Sequence, residues 1–201
     1  MMILRSSPAS PFGRKVKMAL SVLGMLDRVD VVNADTTSPS DSIRAQNPLG
    51  KIPALILEDG TAVYDSRVIV DCLDGMDGRG ILVPPAQRLL VLRQQALADG
   101  LMDAAILQMY EKRFRPPEHH VQSWLDHQQG KVERALAFAE ASLSAPGTGV
   151  PHIGEIAQAA ALGYLDFRFA GAWRAGHPNL VAWLEDFAQR TPSFDATSPH
   201  A

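Results

Sequence analysis

Apolar positions change their spacing along this chain. Over the first third they come in short runs, and beyond it they recur at helical intervals. Met2-Ile3-Leu4-Arg5 reads as a short strand. In residues 11–24, Phe12, Val16, Ala19, Leu20 and Leu23 share one helical face, and Gly24 stands where a helix-ending glycine belongs. Val29-Asp30-Val31-Val32 reads as a second strand, and the polar stretch 33–42 as a loop. Ala54–Leu57 and Thr61–Tyr64 are β-prone runs separated by Glu58-Asp59-Gly60, a hairpin signal. Residues 66–76 read as a helix. The order is strand, helix, strand, loop, hairpin, helix, which is a small α/β unit.

A glycine- and proline-rich stretch follows (75–86), and its core at 78–85 reads as a linker between a domain over 1–77 and one over 86–201. Beyond it no strand pattern occurs. Helical spacing covers 87–114, 121–143, 153–170 and 178–190. Ala157 to Leu165 carries no charge, as expected of a buried central helix. The small, polar tail after Phe194 is expected to fray.

Composition narrows the function classes. A net charge of −3 offers no basic footprint for nucleic acid. No apolar run is long enough to cross a bilayer, and Arg5 and Pro8 break the N-terminal apolar stretch, so a cytoplasmic location is expected. The one cysteine, Cys72, allows no internal disulfide and no thiolate metal site; its helical neighbours Val68, Ile69 and Leu73 suggest a core position. His119-His120 lacks a carboxylate at ligand spacing, so no metal is expected. Trp124, Trp173 and Trp183 read as packing residues, and Arg14 and Lys15 as the solvated face of a helix.

Two segments carry chemistry. In SSPASPFGRK (6–15), Ser10 precedes Pro11, which is the signature of a helix N-cap with proline in the first turn. In NPLGKIP (47–53), a proline opens a strand without an N–H for the ladder. A cis Ile52–Pro53 bond would leave the Ile52 backbone free to pair with an extended peptide. Asp65-Ser66 reads as a helix start, whose free N–H groups bind carboxylates. Together these features describe a site for a small acidic peptide.

SPFGRKVKMAL, NPLGKIPAL and YDS-RVIVDCL, followed by an all-helical half, resemble the glutathione transferase superfamily, in its serine-type SPF-x-R subgroup. The resemblance implies a thioredoxin-like N-terminal domain of order βαβ-α-ββα, then an all-α domain. It implies glutathione as co-substrate and a homodimer. Ile52 would hold the cysteinyl backbone of glutathione with Pro53 cis, Asp65 and Ser66 the γ-glutamyl end, and Lys51 the glycyl carboxylate. Asp103, the last residue of a DG-x-x-D pattern, would reach the γ-glutamyl ammonium from the partner subunit. Ile106, Met109 and Tyr110 would line the acceptor pocket, where Arg113 and Arg115 could favour anionic acceptors or simply be solvated. Arg14 matches a basic position of the family that is structural.

A thiol is mostly protonated at neutral pH, and the thiolate is its nucleophilic form. Ser10 at a helix start could favour the anion by a hydrogen bond and by the helix dipole, with Ser7 and Ser6 as alternatives. No cysteine occurs in 1–71, which disfavours mixed-disulfide chemistry. The expected activity is attack of activated glutathione on an apolar electrophile, as in detoxification. The alternatives are a non-catalytic binding protein or a specialised isomerase or dehalogenase. One departure concerns the central helix, where His152-Ile153-Gly154-Glu155 replaces the family's Ser/Thr-x-x-Asp cap, an exchange expected to cost about 1 kcal/mol.

Overall fold

The computed structural model describes residues 1–143 and 149–199. Its first part is a four-stranded mixed sheet of order β2-β1-β3-β4. β1 (Met2–Ser6) runs parallel to β2 (Val29–Asn33) and antiparallel to β3 (Ala54–Ile56), which pairs with β4 (Ala62–Val63). α1 (Pro11–Val22) and α3 (Ser66–Asp77) pack against each other over the main core. A short α2 (Ile43–Gln46) closes a separate small cluster of Ala34, Ile43 and Ala54. Arg5 is buried and ties down the polar loop by donating to Ser42, Gln46 and Asp41.

The second part is helical: α4 (Arg88–Phe114), α5 (Gln122–Ala141), α6 (Ile153–Phe169), α7 (Pro178–Arg190) and α8 (Ser193–Ala196). α6 is buried from Ile153 to Leu165 and packs on α4 and on α1. Its N-terminus closes a complete capping box with histidine in place of a hydroxyl. The Glu155 N–H donates to His152 Nδ1 (3.3 Å), and the His152 N–H donates to Glu155 Oε2 (3.2 Å). The expected cap loss is thus offset by a ring nitrogen at the right height.

Residues 78–85 are not a loose tether. The Asp74 carboxylate accepts from the N–H groups of Leu82 (2.9 Å) and Val83 (3.2 Å), and the Leu82 carbonyl accepts from Ile153 N–H (2.9 Å). Both apolar side chains are buried, so burial and three hydrogen bonds join the halves here.

Three sequence expectations need correction. Arg14 and Lys15 are buried, because α1 lies between the sheet and the helical layer and has no solvated face at that point. The Arg14 guanidinium crosses Gly163 of α6, stacks 4.1 Å from the Phe194 ring centroid and donates to the Phe194 carbonyl (2.6 Å). Burial lowers its pKa to about 10, a shift that Asp195 and Asp166 offset only in part. That contact also corrects the tail, since Phe194 to Thr197 are docked on Arg14 and on Phe187; residues 200–201 lie outside the described residues. Cys72 is only partly buried. Ile69, Val70 and Leu73 form the inner face of α3, whereas Val68, Cys72 and Met76, four residues apart, form an outer apolar stripe.

Lys15 and Asp99 are both 0% exposed, with Lys15 Nζ 2.7 Å from Asp99 Oδ1; the other carboxylate oxygen accepts from Arg67 Nε at 2.9 Å. Removing one member of a buried pair leaves an uncompensated charge. Asp99→Ala is expected to lower unfolding free energy by about 3–5 kcal/mol. Lys15→Met is expected to cost less, because Asp99 keeps Arg67. Urea unfolding of the two variants checks both the size and the order.

Candidate active site

Strand register brings the chemistry-bearing segments to one end of the sheet. β1 ends at Ser6 and leads through residues 7–10 into α1. The first paired residue of antiparallel β3, Ala54, lies opposite Arg5, so Ile52-Pro53 sits at that same end. Val63 pairs with Leu55, which returns the chain to Pro53 and places Asp65 beside it. Three loops therefore meet at the carboxyl end of β1, below the N-termini of α1 and α3.

The turn before α1 separates the three serines. The Ser10 hydroxyl accepts from Gly13 N–H (3.1 Å), which makes Ser10 the N-cap, and its own proton remains available to donate. Ser10 N–H donates to the Ser7 carbonyl (3.1 Å), closing the turn. Ser7 is partly exposed. Ser6 is 1% exposed and lies under Gly13, where an added Cβ would come within 2.0 Å of the Ser6 hydroxyl. Ser6 is therefore packed between β1 and α1, and Ser7 and Ser10 are the more accessible of the three.

The Ile52–Pro53 peptide bond is cis, as is Tyr64–Asp65. Lys51 is exposed, Ile52 is half-buried ahead of the ladder, and Pro53 is buried. Asn47 shapes this loop. Its amide donates to the Lys51 carbonyl (2.8 Å), its side-chain oxygen accepts from Leu49 N–H (3.1 Å), and its own carbonyl accepts from Gly50 N–H (2.8 Å). Gly50 has φ +60°, which suits glycine. Asp65 caps α3 by accepting from Arg67 N–H (2.9 Å), and the buried Ser66 opens the helix.

Arg67 extends from that helix start to Asp99 on α4. One turn farther along α4, Asp103 lies in the electrostatic field of Lys51, Asp65, Arg67 and Asp99 of its own chain. Partial burial, with Asp99 beside it, pushes its carboxyl above the ordinary range, while Arg67 and Lys51 pull it back. The acceptor-pocket residues diverge. Ile106 and Met109 are half-buried against the main core, whereas Tyr110 stands edge-to-face on Phe114 (5.3 Å) in a shallow hollow with Leu107 and the half-exposed Trp124. Residues that sequence reasoning passed over are Asn47, Arg67 and Asp99. The Asn-Pro turn signal could have pointed to the first, and Asp99 opens the DG-x-x-D pattern that ends at Asp103; nothing local marks Arg67.

Sequence and structural comparisons identify the family and the fold. The family profile "Glutathione S-transferase, N-terminal domain" matches residues 9–76, and "Glutathione S-transferase, C-terminal domain" matches 122–186. The GST-like protein YibF of Escherichia coli is 33% identical, over 98% of this chain and 98% of its own. The chain belongs to the glutathione transferase superfamily. A glutathione transferase family member from Pseudomonas fluorescens, solved with bound glutathione, is 43% identical, with TM-score 0.91 over 100% of both chains. The same protein was solved with bound S-(propanoic acid)-glutathione (TM-score 0.86, 100% of both chains). A glutathione S-transferase from Methylobacillus flagellatus with glutathione bound is 35% identical, with TM-score 0.91 and 100% coverage of both chains. In this chain, as in those relatives, a thioredoxin-like domain precedes a helical one. Among the described residues, no helix is long and apolar enough to cross a membrane.

The raised Asp103 carboxyl has a defined sign. Its folded value exceeds its unfolded one, so ionised Asp103 weakens the fold above the folded value, and the penalty vanishes below the unfolded value of 3.8. Asp103→Asn is expected to stabilise the free protein at pH 7, with the difference shrinking as pH falls toward 4. Urea midpoints of both proteins at the two pH values measure it.

Proposed function

We propose that this chain binds glutathione at the carboxyl end of β1, ionises its thiol at the N-terminus of α1, and adds the sulfur to a small electrophile. The observation that carries this reading is the Ser10 cap, a hydroxyl with a free proton at an open helix start, beside a cis-proline loop and the α3 N-terminus. The Ile52 backbone pairs with the cysteinyl unit, and Pro53 holds that turn. The γ-glutamyl carboxylate meets the Ser66 helix start. Its ammonium meets Asp65 and Asp103, where a cation relieves the acidic crowding that raises the Asp103 carboxyl. Lys51 meets the glycyl carboxylate. The glutathione bound to the 43%-identical relative supports this assignment.

Ser10 donates its hydroxyl proton to the sulfur, and the helix dipole favours the anion. The thiol proton leaves to solvent, and the thiolate attacks the electrophile to form a thioether; with an aryl halide the carbon–halogen bond breaks and halide ion leaves to solvent. The acceptor lies toward Ile106 and Met109, two and three turns beyond Asp99 on α4. It is apolar in the main; the propanoic acid adduct of the relative suggests that a carboxylate is tolerated, and Arg113 and Arg168 beside Tyr164 could receive it. The outer stripe of Val68, Cys72 and Met76 supports a homodimer. The role is a cytoplasmic one in detoxification.

Losing one hydrogen-bond donor to developing charge costs roughly 100-fold in turnover. Ser10→Ala is expected to lose about that factor in kcat with little change in KM for glutathione, while Ser7→Ala stays within about threefold of the parent. Steady-state kinetics with an aryl halide read both. If Ser7→Ala carries the loss and Ser10→Ala does not, Ser7 is the donor.

A further inference from the structure

Two arginines converge on one buried hydroxyl near Ile106. On α4, Ile106, Tyr110 and Arg113 fall at i, i+4 and i+7, on one side of the helix; on α6, which packs on α4, Tyr164 and Arg168 are one turn apart. Tyr164 is buried and follows Gly163, which the Arg14 side chain of α1 crosses, so this end of α6 lies against the helix that Ser10 caps. Burial pushes the Tyr164 hydroxyl up, while Arg168 beside it and Arg113 of α4 pull it back. Arg113 is exposed and Arg168 partly so, and a solute can therefore reach both guanidinium groups.

Neither arginine forms an ion pair with a carboxylate among the described residues. The acid nearest to each in sequence is committed elsewhere. Glu111 accepts from Arg115 with one oxygen and from Val121 N–H with the other (3.1 Å). Asp166 accepts from Trp173 Nε1 (2.9 Å) and, with both oxygens, from Arg174 (2.9 and 2.7 Å). A guanidinium stays charged at neutral pH, and its planar fork matches a carboxylate. Two such charges acting on one hydroxyl leave a positive field that an anion relieves.

We propose that the acceptor is a carboxylate-bearing electrophile, selected for its charge, whose apolar body lies toward Ile106 and Met109 and whose carboxylate accepts from Arg113 and Arg168 beside the Tyr164 hydroxyl. This rests on the glutathione reading above. With an aryl chloride, a carbon–sulfur bond forms, the carbon–chlorine bond breaks, chloride leaves to solvent, and the carboxylate is carried unchanged into the product.

Steady-state kinetics with 4-chloro-3-nitrobenzoate and its neutral counterpart 4-chloro-3-nitrobenzamide test this. Each kcat/KM is divided by the rate constant of the uncatalysed reaction with glutathione, which removes the difference in intrinsic reactivity. The benzoate is expected to be accelerated about tenfold more than the amide, the scale of one charge-assisted contact. Arg113→Met and Arg168→Met are each expected to lower that ratio to about threefold or less, and Arg113→Glu to take it below one. Arg168→Lys keeps the charge and is expected to retain part of the advantage. Arg113 is exposed, so its variants report on selectivity even if Arg168→Met folds poorly. If the amide is accelerated as much as the benzoate, or if Arg113→Met keeps the parent's ratio, the carboxylate site is overturned while conjugation stands. If neither chloride is accelerated, the glutathione reading itself falls, and this inference with it.

Discussion

A single buried carboxylate, Asp99 on α4, joins three elements: Lys15 of α1 at 2.7 Å and Arg67 of α3 at 2.9 Å. Burial pushes the Lys15 ammonium below its ordinary range, and Asp99 pulls it back. Such a pair contributes little net stability over apolar packing, but it is strict about geometry, because either charge left alone in the interior is costly. The cluster therefore constrains how the sheet domain and the helical domain sit against each other. It also ties α4 to α3, with Asp103 one turn farther along α4 in the electrostatic field of Asp65 and Arg67. The site thus depends on an interaction between domains, although most of its residues belong to the first.

The same economy appears at Ser10. A capping hydroxyl has already used a lone pair to hold the Gly13 N–H, and this fixes the direction of the oxygen without consuming its proton. Gly13 permits the close approach of α1 to β1, and Ser6 fills the space beneath it. The structural duty of Ser10 and its proposed chemical one use different parts of one hydroxyl group. The Asn47 turn does comparable work across the site, holding the loop that presents Lys51 and Ile52.

Much of this was legible in the residues. The short strands, the helix from Pro11, the hairpin at Gly60 and the uncharged central helix follow from local patterning, and the structure agrees with each to within a few residues. The cap at Ser10 was equally local, whereas the cis Ile52–Pro53 bond came from the family resemblance. What escaped was non-local. Periodicity identifies the stripe of α1 that faces the sheet, but it cannot show that a second helical layer covers the opposite side, so Arg14 and Lys15 looked solvated. Cys72 looked internal for the converse reason: its stripe is apolar yet faces outward. The 78–85 segment has the composition of a tether and the hydrogen bonding of a joint, because the partners come from Asp74 and Ile153.

On the proposed function, the α1 N-terminus, held in place by the Asp99 cluster, favours the thiolate of bound glutathione. Spectrophotometric titration of the thiol in the binary complex with glutathione tests it directly. Bound glutathione is expected to ionise well below the ordinary thiol value of about 8.5. A thiol that titrates at the same pH bound and free would contradict it, since the site would then grip glutathione without activating it.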